Sequence, residues 1–93
     1  MFDLEYFLVS LFTVVEAFLE RGENSVAYNY CDAMEDGLLL LHEIGHVTTQ
    51  EMRTALTASC SCQTVVQIAD MGGDAWKEHL RSVKVRSMRA LVA

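Results

Sequence analysis

Residues 38–52, LLLLHEIGHVTTQEM, decide how the chain divides into elements. A glycine that follows a leucine-rich run marks a helix C-terminus, because glycine enters the left-handed backbone region without a Cβ clash. Thr48 followed by Glu51 marks the next N-terminus, since its hydroxyl and carboxylate can each satisfy an orphan amide of a first turn. One helix therefore ends at Gly45 and another opens at Thr48, with the chain reversing between them.

The same punctuation recurs along the rest of the chain. Proline is absent, and Gly22 and the Gly72-Gly73 pair interrupt the chain at similar intervals. At about 100° per residue, Leu4, Phe7, Leu8, Leu11, Val14, Val15 and Phe18 share one arc, with Glu5, Glu16 and Glu20 opposite. That predicts a first helix over about residues 2–21. Asn24 or Ser25 is the expected cap of a second, whose seam is Ala27, Tyr30, Met34, Leu38 and Leu41. Beyond Thr48, Met52, Leu56, Ser59, Gln63, Val66 and Ala69 continue the pattern, and TASCSC (57–62), a run of weak helix formers, is a possible break point. Asp74 caps a last helix faced by Trp76, Leu80, Val83, Ser87 and Leu91. Short connections favour antiparallel neighbours, so the expected fold is an all-α antiparallel bundle of four helices, or five with a break at 57–62, in one domain over 1–93.

Composition agrees with a folded chain: 52% of residues are apolar and 22% charged, far from the composition of disordered segments. Cys31, Cys60 and Cys62 are an odd number without a disulfide framework, and no basic leader precedes the first apolar run, so a cytoplasmic location is expected. Tyr6–Val15 is uncharged but falls short of the roughly 20 apolar residues of a membrane span.

His42-Glu43-Ile44-Gly45-His46 resembles the HExxH motif of zincin peptidases, in which two histidines one helical turn apart hold zinc and the glutamate activates its water. The resemblance covers five residues. It needs one helix through both imidazoles, whereas Gly45 and Thr48 predict a reversal that separates them. The downstream ligand candidates Glu51, Asp70 and His79 follow no zincin spacing, so no metal, cofactor or catalytic residue is expected. Cys60 and Cys62, two apart on a helix, point in different directions and are expected to act as small buried residues.

TQEMRTAL (49–56) and SCQTVVQI (61–68) together resemble the helix-turn-helix of phage-repressor-type DNA-binding domains. That resemblance implies base contacts by Gln63, Thr64 and Gln67. Two extra residues separate the segments, and the turn lacks its glycine. Charge also opposes it: residues 1–74 hold twelve acidic and two basic side chains, a poor field for phosphate.

Residues 75–93 reverse the balance, with five basic side chains and one acidic. Lys77, Arg81 and Lys84 form a ridge away from the core face of the last helix, available to an acidic partner or a second copy. Phe2, Tyr6 and Val9 fall outside the first helix's core arc, and Leu39 and Leu40 outside the second's, a surplus of apolar surface typical of interfaces. These features predict a non-enzymatic binding module of adaptor, regulator or inhibitor type. It would act by occupying a partner surface with a basic groove and would form a homodimer.

Overall fold

In the computed structural model, which describes residues 1–92, four helices follow one another: α1 (Leu4–Glu20), α2 (Asn24–Glu43), α3 (Thr49–Asp70) and α4 (Ala75–Ala90). The described residues contain no strand. The first helix starts two residues later than expected. Asp3 accepts the Tyr6 amide proton at 3.0 Å and opens α1, leaving Phe2 just outside the helix with its ring 5.7 Å from that of Phe7. A hydrophobic residue before the cap packed on the fourth helical residue is a hydrophobic staple, which sets the angle at which the chain enters the helix.

Glu23 is the N-cap of α2 and makes no side-chain cap hydrogen bond. Neither Asn24 nor Ser25 is the cap; Asn24 instead donates to Asp70 at 2.9 Å, tying the start of α2 to the end of α3. The Thr48–Glu51 capping box forms in full: Thr48 N–H donates to Glu51 at 2.9 Å, and Glu51 N–H donates to the Thr48 hydroxyl at 3.1 Å. Asp74 precedes α4 without a side-chain cap bond.

The expected weak point at 57–62 is unbroken helix, and α3 runs for 22 residues. Low propensity is a weak local bias that tertiary packing overrides. Here Ala55, Ala58, Ser59 and Cys62 are all at most 1% exposed, and their small size lets neighbouring helices approach closely. Five helices are therefore excluded, and the bundle has four.

Helices α1 and α3 each touch every other helix, whereas α2 and α4 do not touch one another. The cross-section is thus a flattened diamond, with overall extents of 41 × 26 × 16 Å. Leu8, Leu11, Val15, Cys31, Leu38, Val65, Val66 and Leu80 form the centre of one contiguous core. Trp76 and Val83 bring α4 onto it.

Polar ties run along the α2–α3 seam in antiparallel register. After Asn24–Asp70 come Gln63 donating to Asp32 at 2.7 Å and Ser59 donating to Glu35 at 2.7 Å. His42 and Thr49 close the far end at 3.1 Å. The ties specify alignment, which small apolar residues leave loosely defined. No helix among the described residues is long and apolar enough to cross a membrane.

Candidate functional site

The end of α2 has a definite geometry. Gly45 N–H donates to the His42 carbonyl at 3.0 Å and His46 N–H to the Leu41 carbonyl at 2.9 Å, while Gly45 holds φ at +83°. This is a Schellman closure, which satisfies the last carbonyls and turns the chain. Val47, 3% exposed, then anchors the turn in the core. His42 lies in the final turn of α2 against Thr49, and His46 lies beyond the left-handed glycine, exposed. The one-turn spacing of HExxH is therefore not realised. Among the described residues no three His, Cys, Asp or Glu side chains are grouped to share a metal ion.

Two of the three thiols are core residues. Burial pushes Cys31 up to about 11 and Cys62 up to about 12. Both are held protonated near neutral pH, the opposite of what a nucleophile or metal ligand needs. Cys60 is exposed, so the two neighbours on α3 face apart as the spacing implies; it is not the buried residue expected.

The helix-turn-helix reading meets a direct structural obstacle: residues 49–56 and 61–68 lie on one continuous helix with no turn between them. Gln63, half-buried, donates to Asp32 and approaches the Tyr28 carbonyl, while Thr64 bonds back to the Cys60 carbonyl at 3.3 Å. Only Gln67 of the three expected base-reading residues is exposed without a hydrogen bond to the rest of the chain among the described residues.

The basic ridge finds partners on its own chain. Arg81 pairs with Glu78 at 2.7 Å and Lys77 with Asp74 at 3.8 Å. Lys84 reaches across to Glu16 on α1 at 3.1 Å. Lys77 also stands over the Trp76 ring, 5.8 Å from its centre.

The exposed apolar side chains divide by direction. Tyr6, Val9, Leu39 and Leu40 are exposed as expected, but Phe2 is half-buried in its staple. Leu39 and Leu40 leave α2 about 100° apart. Leu40 belongs with residues the sequence reading passed over: Val26, Ala33, Gly37, Leu40 and Ile44 fall within about 40° of one direction on α2. Val26, Leu40 and Ile44 are 44%, 62% and 65% exposed. Asp32, Asp36 and Glu43, all exposed, flank this stripe about 100° round the helix. Its other side borders α1, where Phe18 packs edge-on against Tyr30. There Tyr6, Ser10, Thr13 and Ala17 make an uncharged line at the same spacing. The signal was present in the sequence as a second, charge-free arc on α2, hidden because the seam of Ala27, Tyr30, Met34, Leu38 and Leu41 already supplied one apolar face for that helix.

Comparison of the chain with protein-family models, with curated proteins and with solved structures finds no match.

Proposed function

We propose that the chain is a non-enzymatic protein-binding module, of adaptor, regulator or inhibitor type, that seats a basic amphipathic helix of a partner protein on its α1–α2 face. The observation that carries this reading is the stripe Val26–Ala33–Gly37–Leu40–Ile44, exposed at every position but half-buried Gly37, with its acidic border. Full burial of a side chain such as Leu40 or Ile44 contributes about 1.5–3 kcal/mol. Ala33 and Gly37 leave room at mid-stripe for a close helix, the geometry of helix-in-groove recognition. Asp32, Asp36 and Glu43 select basic flanks, and the net charge of −6 steers such a partner from a distance.

The homodimer expected from the sequence drew on the basic ridge, whose three members have carboxylates of their own chain, and on the apolar residues Phe2, Tyr6, Val9, Leu39 and Leu40, of which all but Phe2 are exposed. A symmetric dimer that pairs the α2 stripes antiparallel would bring the acidic borders together, and in that arrangement a basic partner is favoured over a second copy. Free thiols suit a reducing compartment such as the cytoplasm.

Fluorescence anisotropy with a labelled Leu/Lys amphipathic peptide tests this reading. Saturable binding that weakens with salt, and weakens at least about tenfold, or about 1.4 kcal/mol, in a Leu40→Asp/Ile44→Asp variant of unchanged helix content, is expected. Equal affinity in the variant contradicts it. Light scattering of the unliganded protein should give a monomer; a dimer abolished by the same substitutions would assign the face to a second copy.

A further inference from the structure

Between the first half of α3 and the last half of α4 lies a cleft of about 310 Å³, remote in sequence from the α2 stripe. Arg53, Thr57 and Ser61 line it from α3, and Arg86 and Ser87 from α4, over the buried Val83. Among the described residues no acidic side chain lines it.

The charge arrangement is unusual for this chain. Arg53 is one of two basic residues among the first 74, yet it lines a cleft with a basic residue of α4. The ridge residues Lys77, Arg81 and Lys84 are each neutralised by a carboxylate, but among the described residues neither Arg53 nor Arg86 has one. Two guanidinium groups sharing a cleft repel one another, and that repulsion is relieved when an anion sits between them. Arg86 donates through Nε to the Ser82 carbonyl at 3.5 Å, which leaves its terminal nitrogens free to bind.

We infer that this cleft binds a small phosphate monoester, its phosphate held by Arg53 and Arg86. Guanidinium forks match phosphate oxygens bidentately, and hydroxyls such as those of Thr57, Ser61 and Ser87 add short donors around the same group. The cleft volume is at the lower end of the range for small-molecule sites, roughly 300–1,000 Å³. That admits one compact molecule, whose organic portion lies against Val83 and the Thr57 methyl.

Amide chemical-shift titration of the whole chain with phenyl phosphate, at ionic strength held constant with sodium chloride, tests the inference. Saturable shifts at Thr57, Ser61 and Ser87 are expected, with affinity at least tenfold weaker in Arg53→Gln and in Arg86→Gln. Ser87→Leu, which fills the cleft and leaves both arginines in place, should also block binding. Phenol should not bind, and inorganic phosphate should bind more weakly than phenyl phosphate. Absence of a saturable shift, or undiminished affinity in the Arg53→Gln/Arg86→Gln double variant, overturns the site. Equal affinity for inorganic phosphate overturns the organic ester. Leu40→Asp/Ile44→Asp should leave this titration unchanged, so the two surfaces are tested separately.

Discussion

Ser59 Oγ lies 2.7 Å from Glu35 Oε2 and donates its proton across the α2–α3 seam, although Ser59 itself is wholly excluded from solvent. The Cys31 carbonyl is the more distant neighbour of the same hydroxyl, at 3.3 Å. A hydroxyl has one proton, so the carboxylate, closer and charged, takes it. The bond sits midway along the seam and sets which turn of α3 meets which turn of α2.

Ser59→Ala removes that bond without adding volume and should cost about 1 kcal/mol of stability by urea denaturation. Ser59→Leu adds volume where helices approach closely and should cost more, about 1–3 kcal/mol from overpacking alone. If the leucine variant matched wild type, the seam would not be as tight as described.

Two glycines should respond to alanine with opposite signs. Gly45 holds φ at +83°, so Gly45→Ala forces a side chain into the left-handed region and should cost about 1–2 kcal/mol. Gly37 sits inside α2 with open space where a Cβ would go. Gly37→Ala should stabilise the fold by up to about 1 kcal/mol. Thermal melts of the two variants, run together, check both signs.

Much of this was legible beforehand, because capping and turn chemistry are local. The reversal at Gly45 and the capping box at Thr48 follow from a few adjacent residues and appear as expected. The continuity of α3 through TASCSC was not legible, since it depends on neighbours far away in sequence that bury those small side chains. Phe2 as a staple depended on the helix starting at Leu4 behind the Asp3 cap, two residues later than the expected start. Leu41, assigned to the core seam, is 36% exposed, and Cys31 takes the buried place on that helix. The pairing of Lys84 with Glu16, 68 residues apart, needed the fold itself.

Those ion pairs differ in setting. Lys84–Glu16 joins α4 to α1 with side chains 36% and 41% exposed, whereas Arg81–Glu78 lies within α4 and is 69% and 77% exposed. A double-mutant cycle on Lys84 and Glu16 should give a coupling near the upper end of the roughly 0–1 kcal/mol range of such pairs. The cycle on Arg81 and Glu78 should give a value near the lower end. A larger coupling for the exposed pair would contradict this ranking.

The thiols make stability depend on alkaline pH. Burial raises Cys31 to about 11 and Cys62 to about 12 from an ordinary value of 9.0. Below pH 9 both are protonated whether folded or unfolded, so their contribution is fully present. As pH rises past 9 the unfolded chain releases protons that the folded chain retains, and stability falls until the folded thiols themselves titrate. Urea midpoints measured between pH 8 and about 10.5 should decline, and Cys62→Ala should flatten the decline. In the folded protein at pH 8, alkylation should modify exposed Cys60 and spare Cys31 and Cys62.

Amide chemical-shift mapping with the basic amphipathic peptide tests most directly whether the α2 stripe is a docking surface. The largest perturbations should fall on Val26, Ala33, Gly37, Leu40 and Ile44 and on the adjoining line of Tyr6, Ser10, Thr13 and Ala17, with α4 unaffected. Perturbations centred on Lys77, Arg81 and Lys84, or none at saturating peptide, would contradict it.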